Sequence, residues 1–135
     1  MSYGISNPLN PATDFHTERY DELLIFGRSF YALPVSVPPS TTLKKGLLLD
    51  INSGNYVGLS NPTGTNVFAV LMQDLTNSGS TQITVTAEVA VGHFNFDKLF
   101  VLTGNQCVPV TSTLLTDEEI ANLAVRNIVI HKPFK

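Results

Sequence analysis

The chain has 135 residues, a net charge of −3 and a charged fraction of only 14%. This length fits one domain that buries roughly 70% of its unfolded surface, so a core can form without disulfides or a structural metal. The acidic balance argues against a nucleic-acid partner, because phosphate binding needs clustered Lys and Arg. The single cysteine excludes a disulfide framework and a Cys-based zinc site.

The apolar segments are too short for a membrane protein. None of them approaches the ~18 residues that a membrane span needs, and residues 1–4 do not begin a signal peptide. We therefore expect a soluble protein, made in the cytoplasm and without a membrane partner. Uncharged Thr, Ser and Asn must cover much of its surface, which leaves little charge repulsion between copies and favours a surface made for contact.

Residues 1–40 differ in composition from the remainder and are interpreted as an extended N-terminal arm. Prolines recur within residues 7–11 and 33–39, where they favour extended or turn geometry. Residues 17–25 between them are compatible with a short helix, and an extended segment fits nearly as well. Two alternatives therefore stay open for residues 1–40: an arm lying along another surface, or a strand packed on the chain's own core.

From Thr41 onward the pattern is typical of β structure. Residues 46–50 and 56–59 flank a turn whose residues, Asn52 to Asn55, tolerate positive φ, which predicts a hairpin over 46–59. Residues 67–72 are apolar throughout, as in a strand buried on both faces.

Residues 81–91 carry the clearest strand pattern. Apolar side chains alternate with polar ones, and one face of the strand consists of Ile83, Val85, Ala87, Val89 and Val91. We expect β structure to continue over residues 94–102 and to break at Gly104 and Asn105.

One helix is predicted near the C-terminus. Thr116 followed by Glu119 forms a capping box, and Asn127 suits a left-handed stop. The expected apolar stripe of this helix consists of Ile120, Leu123 and Ala124, with Val125 near its edge. Residues 128–130 then predict a final buried strand, so the fold class is mainly β (α+β), with one short helix near the C-terminus.

The residues that usually carry chemistry are scattered. His16, His93 and His131 lie far apart, which predicts two solvated histidines and His93 at a turn after Gly92. Cys107 has no nearby cation in the sequence and is expected to be a buried, unreactive thiol.

The carboxylate pairs have simpler explanations. Glu118 and Glu119 belong to the helix cap, and Asp21 and Glu22 lie in a charged stripe. A phosphate-binding glycine loop is missing from the sequence. We therefore predict no catalytic residues, no cofactor, no metal site and no enzymatic activity.

The chain from Thr41 to Ile130 resembles the lambda-type head decoration proteins of tailed phages. The resemblance is carried by a first strand ending at Asp50, a Ser53-Gly54 turn, an apolar strand from Phe68, and a long β stretch that ends in Gly92. A short helix and a closing strand, Thr116 to Ile130, follow as in that family. The similarity covers about two thirds of the chain, and the segment before Thr41 is longer and more aromatic than the family's short polar lead.

This resemblance implies a non-enzymatic protein that binds the expanded capsid as a homotrimer. Its partners would be the major capsid protein and other copies of itself, on the outer surface of the virion, where it stabilises the head against the pressure of packaged DNA. The expected division is an arm over residues 1–40 and a β-rich decoration domain over residues 41–135.

The capsid-facing anchors are expected in the arm, because prolines and spaced aromatics there can add a strand to a neighbouring sheet edge and large aromatics dominate many interfaces. The candidate anchors are Tyr3, Ile5, Leu9, Phe15, Tyr20, Leu24, Phe26 and Phe30. Deleting residues 1–31 should then leave a folded domain that no longer binds heads.

Three other classes compete with this interpretation. Another virion structural protein, from the tail or the head-completion complex, would share the composition but form rings of higher symmetry. A small β-type binding module would need an exposed aromatic platform, yet the chain has no Trp and only four Tyr. An enzyme is the least favoured, because paired His, Cys and carboxylates are scarce.

Overall fold

The computed structural model describes residues 23–132, with the side chains of Leu23 and of residues 30–132. These residues form a mostly β domain with a single α-helix near the C-terminus, as the sequence predicts. The strands are β1 (Leu24–Val37), β2 (Thr41–Leu43), β3 (Leu48–Asn52), β4 (Asn55–Gly58), β5 (Ala69–Leu71), β6 (Leu75–Asn77), β7 (Ile83–Asn95), β8 (Phe100–Thr103), β9 (Gln106–Pro109) and β10 (Ile128–His131). A 3₁₀ turn (Phe96–Lys98) follows β7, and the helix α1 (Asp117–Ala124) precedes β10.

The main sheet has the strand order β1-β4-β3-β5-β7-β10, and β1 also pairs with β7. The pairings therefore return to their start and close a circuit of five strands, with β10 attached outside it. Closing the circuit leaves β1 and β7 paired on both sides over part of their length, which protects strand edges that would otherwise be open. Two separate hairpin-like pairs, β2 with β6 and β8 with β9, complete the β structure of the described residues.

The sheet separates two hydrophobic cores because successive side chains of a strand point to opposite faces. Leu49 and Leu71 belong to what we call the inner core, together with residues from every strand of the circuit. Leu48 and Val70, their neighbours along the chain, belong to the helix-side core, which also contains Leu123 of α1. The central strands are thus buried on both faces.

The predicted hairpin over residues 46–59 is confirmed, with β3 and β4 antiparallel. Ser53 and Gly54 form its turn at φ of 55° and 86°, the positive values that a tight two-residue hairpin turn requires. The strand begins at Leu48, two residues later than expected. Gly46 instead lies at φ 107°, where a Cβ would collide with the backbone carbonyl of Lys98.

The long strand expected over residues 81–91 is β7, which extends from Ile83 to Asn95. The predicted alternation is confirmed from Thr84 to Val89 and fails on either side of that stretch. Ile83 at the start is 38% exposed, whereas Ala90, on the face expected to be polar, is fully buried. The strand enters the helix-side core on that second face, so its later residues are covered from both sides.

The helix and the final strand are confirmed. Thr116 caps α1: its Oγ1 accepts a hydrogen bond from the Glu119 amide at 3.3 Å, and the Thr116 amide donates to the Glu119 carboxylate at 2.9 Å. Asn127 has φ 67° and ends the helical region. The expected apolar stripe is wrong in part: Leu123 is buried, but Ala124 is exposed and Val125 is 86% exposed.

Residues 24–37 decide between the two alternatives for the N-terminal segment. β1 pairs with β7 in antiparallel register from Leu24↔Phe94 to Val37↔Ile83, and Val35 and Val37 are buried in the inner core. This part of the chain is therefore a strand packed on its own core, and the boundary placed at residue 40 does not separate it from the sheet. Residues 1–22 lie outside the described residues, as does most of the alternative helix over 17–25, of which Leu24 and Ile25 are in β1.

A buried asparagine fastens the end of β1 to the strands that follow it. Asn77 is 4% exposed, and its Nδ2 lies 3.1 Å from the carbonyls of Val37 and Pro38 and 2.8 Å from that of Thr81. Its Oδ1 accepts from the Gly79 amide at 2.9 Å. Because buried polar groups are costly when unpaired, this side chain fixes the β1–β2 connection against the β6–β7 turn.

Candidate functional site

Two histidines meet where the C-terminal ends of β7 and β10 lie side by side. These strands are parallel, with Val129 opposite His93 and His131 opposite Asn95. His93 and His131 are therefore offset by two residues on neighbouring strands. The Nδ1 of His93 lies 2.9 Å from the Nε2 of His131.

The two imidazoles meet edge to edge. Their planes differ by 26° and their centroids are 5.1 Å apart, which is close to the nitrogen–nitrogen distance plus two ring radii. The nitrogens therefore lie near the line between the centroids, so the lone pair of one ring points at the N–H of the other. This arrangement is an in-plane hydrogen bond in which one ring donates and the other accepts.

The backbone beneath the histidine pair is firmly anchored. Phe94 and Ile128 are completely buried, and Ile130 is buried beside them in the helix-side core. The histidines themselves are accessible, with His131 exposed and His93 half-buried. Two strands held by core side chains thus present two ring nitrogens at the surface of the domain.

The sequence-based interpretation is wrong for His93, whereas the solvated position expected for His131 is confirmed, because His131 is exposed. His93 lies within β7 and not at a turn, because the strand continues to Asn95. His131 is fixed to it by the register of β10. Only that parallel register brings together two residues 38 positions apart, and no local signal in the sequence could have indicated it. His16 lies outside the described residues.

The candidate capsid-facing anchors fall into two groups. Tyr3, Ile5, Leu9, Phe15 and Tyr20 lie outside the described residues, so their role stays a prediction. Leu24 and Phe26 lie in β1, with their backbones opposite Phe94 and His93. The side chain of Phe30 is half-buried and packs against the helix-side core, so much of its apolar surface is used within the chain.

An open groove runs beside β1 and β7. It has a volume of about 380 Å³ and is lined by Phe30, Tyr31, Ala32, Gln73, Thr86, Ala87 and Glu88. Tyr31, which is 48% exposed, is the most accessible aromatic side chain there. The Oε1 of Gln73 accepts a hydrogen bond from the Glu88 amide at 2.7 Å, so one wall of the groove is fixed by a side chain.

A second exposed apolar surface lies near the end of α1. Phe68 is 38% exposed, and the guanidinium of Arg126 lies 4.4 Å from the centre of its ring. The same guanidinium donates to the carbonyl of Val67 at 2.9 Å. Val125, adjacent to Arg126, is the most exposed large apolar residue among those that the structure describes.

Cys107 is half-buried against the inner core. Its Sγ lies 3.4 Å from the Lys44 amide and 3.7 Å from the Thr42 carbonyl. Burial raises the pKa of the Cys107 thiol, and the hydrogen bond and positive charge of Lys44 oppose this only in part. The expectation of no nearby cation is therefore wrong, whereas the expected low reactivity is supported because a raised pKa reduces the thiolate fraction.

The described residues offer little else for catalysis or metal binding. Within residues 23–132, no group of three or more His, Cys, Asp or Glu side chains is placed to hold a metal ion. Glu119 is occupied by the helix cap, and Asp117 forms an ion pair of 2.7 Å with Lys132. Across the same residues, no helix has the length and apolar character required to span a membrane.

Comparison with known proteins leaves the chain without an assigned relative. It matches no protein-family model, no curated protein and no solved structure.

Proposed function

We propose that this chain is a phage capsid decoration protein. In this role it binds the outer surface of the expanded head as a homotrimer, contacts the major capsid protein, and stabilises the shell against the pressure of packaged DNA. It needs neither a catalytic residue nor a cofactor for this role.

The order of elements between Thr41 and Ile130 carries the proposal. The segments on which the resemblance to lambda-type decoration proteins rests correspond to discrete elements: the hairpin β3–β4, the buried strand β5, the long strand β7 with Gly92 near its end, and α1 followed by β10. The strands among these elements belong to one sheet, and α1 packs on its helix-side core. The resemblance thus covers most of the sheet, which is completed by β1 from outside the resembling segment.

The surface of the domain agrees with a role in repeated close contacts. Only 14% of the residues are charged, and five large apolar side chains of the described residues are 38% exposed or more: Tyr31, Ile51, Phe68, Ile83 and Val125. Weak contacts of this kind gain strength on a shell, because binding at one site raises the effective concentration at the next.

Cosedimentation with capsids tests the proposal. The purified full-length protein is mixed with expanded, undecorated heads and with unexpanded proheads, both assembled from the major capsid protein encoded in the same genome. We expect saturable binding to expanded heads alone, in multiples of three copies per site. Binding to neither particle would overturn the proposal, and a solution mass of six or twelve subunits would favour a ring component of the virion.

The N-terminal anchors are tested separately from the fold. Because β1 begins at Leu24, deletion of residues 1–22 leaves every described strand intact, whereas the deletion of residues 1–31 expected from the sequence removes half of β1. We expect the variant lacking residues 1–22 to fold and to lose binding to expanded heads. A full-length Thr113→Ala variant, changed at an exposed polar residue outside the proposed contacts, is the control and should bind normally.

A further inference from the structure

We propose that His93 and His131 form a binding site for a late first-row divalent cation, with Cu²⁺ bound more tightly than Ni²⁺ or Zn²⁺. The site is independent of capsid binding. Imidazole nitrogens are common ligands of all three ions, and Cu²⁺ has the highest affinity in this part of the series.

The two nitrogens lie close enough to reach one metal ion once the rings turn. The Nδ1 of His93 and the Nε2 of His131 are 2.9 Å apart as hydrogen-bond partners, and two nitrogen ligands of one ion, each at about 2.0–2.1 Å from it, lie about 2.9–3.4 Å apart. Rotation of the imidazoles can therefore direct both lone pairs at one ion. The expected preference for Cu²⁺ follows from the general order of metal affinities for nitrogen ligands.

Binding requires the imidazoles to turn and one proton to move. The lone pair of one ring now points at the N–H of the other, so both rings must rotate until two lone pairs converge on the metal. The donor ring then carries its proton on its other nitrogen, as the alternative neutral tautomer. The two histidines stay neutral, no electron is transferred, and water completes the coordination sphere.

The strands provide a scaffold that holds both ligands in place. Val129 on β10 lies opposite His93, two residues before His131. The buried side chains of Phe94 and Ile128 hold the two strands in place. Sites built on strands hold their ligands more rigidly than sites on loops. The ammonium of Lys132, next to His131, is bound to Asp117 at 2.7 Å and lies 4.9 Å from the centre of the Phe96 ring, so it is engaged in other contacts.

A bound metal ion would connect β10, the last described strand, to β7. β10 pairs with β7 through only four residues, and His131 is the last of them. A ligand that binds the folded state alone raises its stability. Here it would act at the end of β10, where the pairing with β7 stops. Thermal stability therefore provides a measurement that is independent of the binding isotherm.

Calorimetric titration of the full-length protein with Cu²⁺, Ni²⁺ and Zn²⁺ at neutral pH tests the proposal. The variants are His93→Asn and His131→Asn, and the matched control is His16→Asn. We expect one Cu²⁺ per chain, affinity lowered by at least about tenfold in either site variant, and no change in the control. Cu²⁺ should raise the Tm of the wild type and of the control but not of the site variants, and the affinity should fall as the pH is lowered, because the ligands must be deprotonated.

Several results would overturn the proposal. Absence of saturable binding, or equal binding by the wild type and the double variant His93→Asn/His131→Asn, would show that the pair is only a structural hydrogen bond. Loss of binding in His16→Asn alone would place the site elsewhere. If His93→Asn fails to fold, the test uses His131→Asn, because His131 is exposed. The electron paramagnetic resonance spectrum of Cu²⁺ bound to the wild type must then show coupling to imidazole nitrogens, and that coupling must change in His131→Asn.

Discussion

Two of the strands that pair with β7, namely β1 and β10, are held in contrasting ways. β1 pairs with it in antiparallel register through twelve residue pairs, from Leu24↔Phe94 to Val37↔Ile83, with irregularities after Leu24 and Gly27. β10 is parallel to β7 and pairs through four residues only. Yet the sequence predicts the short strand, whereas the long one lies wholly within residues 1–40, for which the sequence leaves an arm and a packed strand equally open.

The difference arises from where each strand obtains its stability. β10 has three consecutive apolar residues, of which Ile128 and Ile130 are buried, and the capped helix before it sets its position. β1 contains a proline and a glycine, residues that are unfavourable in strand interiors, and it is held by long-range pairing along a single partner. Local sequence patterns therefore predict a strand such as β10, but they do not predict a strand such as β1.

Truncation at the N-terminus gives the largest expected effect. Deleting residues 1–31 removes the β1 partners of β7 from Phe94 to Val89 and should abolish the cooperative unfolding transition, because the exposed half of β7 loses its ladder hydrogen bonds. Deleting residues 1–22 should preserve that transition. Far-UV circular dichroism during urea unfolding compares the two, and cooperative unfolding of the shorter chain would show that β1 is dispensable.

Truncating a buried side chain tests the β10 flank. Ile128 is fully buried in the helix-side core, so Ile128→Ala should lower the free energy of unfolding by about 2–5 kcal/mol. Val129 lies on the same strand but is only half-buried, and Val129→Ala is the control with a smaller loss. Equal losses from chemical denaturation would mean that β10 does not depend on the core beneath it.

Removal of the Asn77 side chain tests how the C-terminal end of β1 is fastened. Asn77→Ala leaves the carbonyls of Val37, Pro38 and Thr81 without their side-chain donor, at an expected cost of about 1–3 kcal/mol. Thermal unfolding measures this cost, with Asn61→Ala, at an exposed asparagine away from this connection, as the control. A loss of stability no larger than that of the control would mean that backbone pairing alone holds the β1–β2 connection in place.

The helix cap has a smaller predicted effect. Thr116→Ala removes the hydrogen bond to the Glu119 amide and should cost about 1 kcal/mol, mainly at the α1–β10 end of the molecule. Thr113 is an exposed threonine three residues earlier, so Thr113→Ala should change the unfolding free energy little. Hydrogen exchange of the β10 amides should increase in the first variant and not in the second.

Cys107 gives the subtlest test, since its thiol packs against the inner core that receives Val35 and Val37 of β1. The raised pKa of Cys107 means that the folded state holds the thiol proton more tightly than the unfolded chain does. The resulting stability is complete below the unfolded-state pKa and is lost as the pH rises through the folded-state value, so it declines only in alkaline solution. Thiol labelling at mildly alkaline pH should be slower than in urea, and a Cys107→Ser variant should lack this alkaline loss.

The same thiol can distinguish the two flanks of β7. Val35→Ala, which loosens the inner core, should accelerate labelling of Cys107 more than Ile128→Ala, which affects the helix-side core. Equal acceleration by the two variants would show that both cores open together.

The sequence predicted those elements whose formation depends on neighbouring residues. The Ser53-Gly54 turn, the Thr116 cap and the Asn127 stop each depend on the conformational preferences of one or two residues, and all three are present. The short partners β6 and β2 were not predicted, because three-residue strands carry too little periodicity to recognise.

The fold class, the hairpin, the helix with its cap and the final strand could be predicted from the sequence, because hydrophobic patterns and turn chemistry are local properties of the chain. The closure of the strand circuit by β1 and the hydrogen bond between His93 and His131 could not. Both outcomes depend on strand register, which one sheet partner imposes on another across dozens of residues, and a single sequence contains no local term for that choice.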